Sequence, residues 1–111
     1  MRTLRFIVNE QNLSKDSSCD FTNIISGTRG YLEAEFVFNE SWNMFGKVAV
    51  FGALLQEYPV IIKNGKCEIP SEVLDGEKFS VYVVGSKNGK RITTNSVTIT
   101  QERSEPWPQR I

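Results

Sequence analysis

The chain has 111 residues, and its thirteen basic and thirteen acidic side chains give no formal net charge at pH 7. This length corresponds to one domain, and the absence of a block of like charges disfavours binding to nucleic acid or to an anionic membrane. The chain contains no histidine, which excludes Ser-His and Cys-His nucleophile pairs and removes the commonest metal ligand. We therefore expect a protein that is not an enzyme and that takes no cofactor.

The amino-terminal segment, MRTLRFIVNEQN, contains one short apolar run that Arg5 interrupts. A secretion signal needs about 7 to 15 apolar residues and a membrane-spanning helix about 20. We therefore expect a soluble protein, made in the cytoplasm, in which Cys19 and Cys67 remain free thiols. Cys67 alternates with Ile69, which predicts a small buried core residue.

Apolar residues recur with a period of two in about seven short segments, a pattern typical of β-strands. The clearest segment begins at Tyr31, and its apolar face includes Phe36, a predicted core residue, whereas Glu33 and Glu35 lie on the other face. The predicted strands are Leu4–Val8, Tyr31–Phe38, Val48–Phe51, Tyr58–Ile62, Lys66–Ile69, Lys78–Val84 and Arg91–Ile99.

Three local signals refine this pattern. Asn64-Gly65 and Asn88-Gly89 each lie between two predicted strands and predict two hairpins, because both residue types tolerate the positive φ that a tight hairpin turn needs. Pro59 lacks an N–H donor, so its strand is expected either to lie at a sheet edge or to begin later than the pattern indicates.

Two irregular segments are also expected. Between Ile69 and Lys78, PSEVLDGE predicts one helical turn that crosses between two sheets. In the last strand Ile92 and Val97 have opposite parity, which predicts a bulge near Thr94 or Asn95.

Many short strands, tight turns and little helix indicate an all-β fold, an immunoglobulin-like antiparallel β-sandwich of about seven strands over residues 1–100. Residues 101–111 form a carboxy-terminal tail. There Trp107 lies between Pro106 and Pro108, which favour polyproline II and reduce the entropy lost on docking. The tail either docks into a partner or covers an edge of its own sheet, and the sequence favours neither alternative.

A second candidate protein-binding surface follows from the strand Lys78–Val84. Tyr82 and Val84, together with Ile92, are expected on the face opposite Phe79, Val81 and Val83. Either both faces of this sheet are covered within the chain, or an apolar patch is available to a partner.

Other candidate sites have plainer explanations. Glu33 and Glu35, about 7 Å apart along a strand, have the spacing of paired glycosidase carboxylates, but alternation alone predicts a solvated face. Asp16 and Asp20 lack the spacing of an EF-hand calcium loop, and SGTRGY is not followed by the helix of an anion site. Trp42 is expected as a core residue, although Trp42 or Tyr58 on the surface would offer a platform for sugars.

Four successive segments together resemble one known family. They are YLEAEFVF, SWNMFGKVAVF, YPVIIKNGKCEIPSEVL and GEKFSVYVVGSKNGKRITTNSVTI. They are similar to the amino-terminal immunoglobulin-like domain of baseplate upper proteins and related tail-fibre proteins of phages that infect Gram-positive bacteria. The similarity runs from about Leu4 to Thr100, and its most specific parts are Cys67-Glu68-Ile69-Pro70 with Glu72-Val73-Leu74, and Arg91-Ile92-Thr93-Thr94-Asn95.

The resemblance implies a non-enzymatic attachment module of a virion, made in the host cytoplasm. Its expected partners are other virion proteins of the capsid or the tail and baseplate, which it contacts in many symmetric copies. The short tail after the domain leaves no room for a fibre or a receptor-binding tip, so we expect a decoration protein or an adaptor. The alternative is a module that binds host cell-surface carbohydrate.

Overall fold

The computed structural model describes residues 1–103, which form two β-sheets packed face to face. Two 3₁₀ turns, Glu40–Trp42 and Ser71–Val73, lie between strands. The strands are β1 (Arg2–Asn9), β2 (Asn12–Lys15), β3 (Leu32–Phe38), β4 (Gly46–Ala53), β5 (Gln56–Ile61), β6 (Lys66–Glu68), β7 (Lys78–Lys87), β8 (Lys90–Thr93) and β9 (Val97–Thr100).

The first sheet has the order β2-β1-β3-β6, and the second has the order β5-β4-β7-β8, with β9 also paired to β7. Every strand pair is antiparallel except β1 with β3. That pair is parallel because the long connection 16–31 returns the chain to the end at which β1 began. The sandwich predicted from the sequence is thus confirmed. The order β5-β4-β7-β8 of the second sheet is that of C′-C-F-G in immunoglobulin-like domains, whereas the parallel pair of β1 and β3 departs from their antiparallel pattern.

The core lies between the two sheets and is built by alternation along the strands. Phe36 is 3% exposed and stacks on Phe6 with 5.2 Å between ring centroids, as the period of β3 predicts. Cys67 is also buried, which confirms its predicted place. The other large and fully buried side chains include Trp42, Phe51, Phe79, Leu4, Leu13, Ile24, Ile69, Leu74 and Ile99.

Both predicted tight turns form, but only one of the two expected hairpins joins neighbouring strands of one sheet. Both residues of Asn64-Gly65 have positive φ (54° and 75°), and so do both of Asn88-Gly89 (50° and 80°). Asn88-Gly89 joins β7 to β8, whereas Asn64-Gly65 leads from β5 in one sheet to β6 in the other. Pro59 lies in β5, an edge strand, and the 3₁₀ turn at Ser71–Val73 connects the two sheets, as predicted.

The irregularity in the last predicted strand separates two strands, β8 and β9. Thr93 is opposite Val84, and Val97 is opposite Val81. Three residues, 94–96, therefore face only two residues of β7, 82 and 83. This excess of one residue is that of a β-bulge, and it allows Ile92 and Val97 both to pack against the core. Thr94 within it is buried, and its hydroxyl accepts a hydrogen bond from the Val83 N–H at 3.0 Å.

The bulge also connects the two sheets. The Asn95 side-chain amide accepts a hydrogen bond from the Leu13 N–H (2.8 Å) and donates one to the Leu13 carbonyl (3.0 Å). Leu13 belongs to β2, a four-residue strand that the sequence pattern does not predict, because NLSK has too few apolar residues to show alternation. Asn95 thus pairs with the edge of the first sheet as a strand backbone does.

Candidate protein-interaction surface

The outer face of the first sheet is mainly polar. Arg5 on β1 pairs with Glu35 on β3 at 2.9 Å, and the Thr3 hydroxyl donates to the Glu33 carboxylate at 2.9 Å. Hydrogen bonding to Glu35 raises the pKa of Arg5 above its ordinary value. Lys66 lies 3.9 Å from Glu33. Glu33 and Glu35 therefore belong to a solvated strand face with cationic partners, as alternation predicts.

The outer face of the second sheet is apolar at its centre. One row across β5, β4 and β7 consists of Ile61, Val48 and Val84, and the next consists of Pro59, Val50 and Tyr82. These six residues are called the outer patch. Polar rows border it on both sides, with Ser86 and Arg91 on one side and Glu57, Ser80 and Thr98 on the other.

The outer patch is close-packed but open to solvent. Val50 is only 8% exposed, although it does not belong to the core cluster, because its outward-facing neighbours cover it. Ile61 remains 65% exposed. The Tyr82 hydroxyl lies 3.3 Å from both carboxylate oxygens of Glu57. The pKa of Tyr82 is raised, mainly by partial burial and secondly by the negative charge of Glu57.

Tyr82 and Val84 lie on the outward face, as the parity of β7 predicts. Ile92, expected beside them, instead packs against the core, because its partner in the ladder is the inward-facing Gly85. Trp107, Pro106 and Pro108 lie outside the described residues, so their docking role stays a prediction.

Neither aromatic residue considered as a sugar platform presents an open face. Trp42 has no exposed surface, and its indole Nε1 donates to the Glu10 carbonyl at 2.8 Å. A Cβ atom at Gly85 would lie 2.6 Å from the Trp42 ring, so the glycine makes room for the indole. The prediction of Trp42 as a core residue is confirmed. Tyr58 packs against the core, and its hydroxyl donates to Gln56 at 2.7 Å.

The remaining polar candidates form ordinary turns. Asp16 accepts hydrogen bonds from Ser18, and Asp20 accepts hydrogen bonds from the Thr22 hydroxyl and N–H, which lowers the pKa of each carboxyl. Arg29 in SGTRGY pairs with Asp75 at 2.7 Å. Within residues 1–103, no three histidine, cysteine or acidic side chains gather in a way that could hold a metal ion. The same residues contain no helix that is long and apolar enough to cross a bilayer.

Cys19 and Cys67 are both free thiols, as expected. Cys19 has a structural role, since its sulfur accepts a hydrogen bond from the Arg5 N–H at 3.3 Å. Burial raises the pKa of the Cys67 thiol to about 12, and the nearby Glu33 adds to the shift. A buried thiol with such a pKa is a poor nucleophile near neutral pH.

The turn between β4 and β5 carries two exposed residues that sequence reasoning missed. Leu54 and Leu55 are 90% and about fully exposed, and the sequence pattern gives no reason to place them outside. One signal in the sequence could have located them: GALLQE is a short connection between two predicted strands, and residues at the tip of such a connection are exposed. A cavity of about 420 Å³ lies beside Leu54.

A comparison with models of known protein families finds no match. A comparison with curated proteins also finds none.

Proposed function

We propose that this chain is a non-enzymatic structural protein of a phage virion. It is an immunoglobulin-like attachment or decoration module, made in the host cytoplasm and bound to the capsid or to the tail and baseplate in many symmetric copies. Its partners are other virion proteins. The observation that supports the proposal best is the outer patch.

The contrast between the two sheets supports a docking role for this face. A sheet that faces water ordinarily carries polar side chains on its outer face. The first sheet follows this rule, for example with the ion pair between Arg5 and Glu35. The outer patch instead has two adjacent apolar rows, and Ile61 in it is largely exposed. A partner that covers these rows removes apolar surface from water, and tyrosine is enriched at such interfaces.

The alternative, a module that binds host cell-surface carbohydrate, depends on an aromatic platform. Trp42 is buried and Tyr58 packs toward the core, so neither residue favours this alternative. We therefore retain it only as an outcome of the test.

The first experiment measures the copy number of the protein on purified particles from its source, by quantitative gel analysis, and its mass in solution, by light scattering. We expect copies in a fixed multiple of a capsid or tail symmetry. Absence from particles, together with a free monomer that binds glycans, would replace the proposal by the carbohydrate alternative.

The second experiment tests the surface. Ile61→Lys places a charge in the outer patch at a side chain that is 65% exposed, and we expect it to weaken association with particles at least about tenfold, because burying that charge is costly. Val37→Lys, on the outer face of the first sheet where Val37 is 47% exposed, is the matched control and should bind normally. Both variants should unfold within about 4 °C of the wild type. Equal binding by both variants would assign docking to another surface.

A further inference from the structure

Three two-residue turns within residues 1–103 have the same backbone geometry. Leu54-Leu55, Asn64-Gly65 and Asn88-Gly89 each lie between directly paired residues, and in each turn both residues have positive φ. This conformation is that of a type I′ turn, for which asparagine and glycine are strongly preferred. Two of the three turns follow that preference, and the third has leucine at both positions.

Leucine is unfavourable at both positions of such a turn. Its Cβ atom makes the left-handed region costly, and Leu54 and Leu55 have φ values of 51° and 67°. Their side chains also gain nothing from the core, because they are 90% and about fully exposed. Folding alone therefore gives no reason for the leucine pair, and backbone strain of this kind concentrates at functional sites.

Acidic residues surround the base of this turn. The cavity of about 420 Å³ beside Leu54 is lined by Glu72, Asp75, Glu77 and Lys78 among others. Asp75 pairs with Arg29, whereas Glu72 and Glu77 form no ion pair within residues 1–103. An apolar projection thus stands next to a cavity with an excess of negative charge.

We propose that Leu54 and Leu55 form an anchor that inserts into an apolar pocket of a protein partner, and that the partner's Lys or Arg side chains at the rim of that pocket enter the acidic cavity. Two leucines held rigidly at a turn lose little conformational freedom on insertion. The paired charges at the rim fix the orientation of the complex. The anchor lies at an end of the sandwich, so the inference does not depend on whether the outer patch docks.

Charge distinguishes this partner from two other occupants. A membrane-inserting tip typically has Lys and Arg at its base, because anionic headgroups attract them. Here the base is acidic, which disfavours that surface. A second copy of this chain that met the first tip to tip would bring two acidic cavities together, which like-charge repulsion opposes.

The first test separates folding from binding. Leu54→Asn with Leu55→Gly gives this turn the residues of the other two turns, and we expect the Tm of the full chain to rise by about 4 °C or more. Leu54→Ala with Leu55→Ala is the matched control, since it removes the apolar side chains but keeps Cβ atoms at positive φ. It should leave the Tm unchanged or slightly lower. A fall in Tm for the Asn-Gly variant would show that the leucines stabilise the fold, and would overturn the proposal.

The second test identifies the partner. A photo-crosslinking amino acid at Leu55 of the full chain captures proteins from an extract of its source, and each captured protein is purified and titrated against the wild type. We expect the Asn-Gly and the Ala variants both to raise the Kd at least about 100-fold. Glu72→Lys with Glu77→Lys should raise it about tenfold, and added salt should weaken binding to the wild type.

Two outcomes would overturn the proposal. The first is a purified captured protein that binds the wild type and all variants with equal affinity. The second is the absence of any protein that binds the wild type at micromolar concentration and binds the Asn-Gly variant more weakly. Two further outcomes would assign the leucines to another occupant. The first is binding to phosphatidylcholine vesicles, with or without phosphatidylserine, that the Asn-Gly variant loses. The second is self-association in sedimentation experiments that the same variant loses.

Discussion

Phe36 illustrates how much of the stability depends on single side chains in the strand centres. It is 3% exposed, and its ring stacks on Phe6 of the neighbouring strand at 5.2 Å. We expect Phe36→Ala to lower the free energy of unfolding by about 3 to 5 kcal/mol, because it removes buried apolar surface and leaves a cavity. Urea denaturation followed by circular dichroism measures the difference.

The adjacent residue supplies the control for this prediction. Val37 points to the other face of β3 and is 47% exposed, so Val37→Ala should change the free energy of unfolding by no more than about 0.5 kcal/mol. A loss below about 1 kcal/mol for Phe36→Ala would show that Phe36 does not have the burial described for β3.

At the scale of elements, the bulge between β8 and β9 depends on one hydroxyl. The Thr94 Oγ1 accepts from the Val83 N–H at 3.0 Å and donates to the Asn95 carbonyl at 2.9 Å. Thr94→Val has nearly the same shape but leaves the buried Val83 N–H without this partner. We expect it to lower the free energy of unfolding by about 1 to 3 kcal/mol, measured by chemical denaturation.

Thr98 is the matched position for this test, because it is an exposed threonine in the following strand. Thr98→Val should change stability by less than about 0.5 kcal/mol. Equal effects of the two substitutions would mean that the hydroxyl of Thr94 does not hold the bulge.

The elements also show where sequence reasoning succeeds and where it fails. The Asn-Gly turns and the edge position of Pro59 follow from the backbone preferences of asparagine, glycine and proline, which can be read from the sequence alone. The bulge was predictable because Ile92 and Val97 cannot both face inward in a regular strand. By contrast, the parallel pairing of β1 with β3 and the short strand β2 depend on contacts between distant segments, which alternation does not report.

The candidate surfaces were predictable only in part. The parity of β7 places Tyr82 and Val84 outward, but it cannot tell whether another element covers them. The expectation for Ile92 is wrong, because its face depends on the pairing of β8 with β7, which puts it opposite the inward-facing Gly85. Leu54 and Leu55 could not be foreseen as exposed, since hydrophobicity alone assigns leucine to the core.

At the scale of the whole molecule, the buried thiol of Cys67 links global stability to alkaline pH. Its ordinary pKa is 9.0, and burial raises it to about 12 in the folded state. Between these values the unfolded chain releases a proton that the folded chain retains, so stability is full below about pH 9 and falls as the pH rises towards about 12. The slope from this group approaches about 1.4 kcal/mol per pH unit.

Cys67→Ala tests this linkage. The variant should be less stable at neutral pH, because it leaves a small cavity, but its free energy of unfolding should fall less steeply than that of the wild type between pH 9 and 11. Denaturation curves at several pH values give both slopes. Parallel slopes would show that the thiol does not titrate differently in the two states.

The position of Pro59 affects whether copies of this chain can pair through their sheet edges. An edge strand offers its unpaired N–H and C=O groups to any other strand, which is the first step of fibre growth. Pro59 has no N–H to offer, so the free side of β5 lacks a donor in the middle of its length. The addition of a second copy of this chain along β5 is thereby hindered, whereas Pro59 places no such obstacle on the faces of the sandwich.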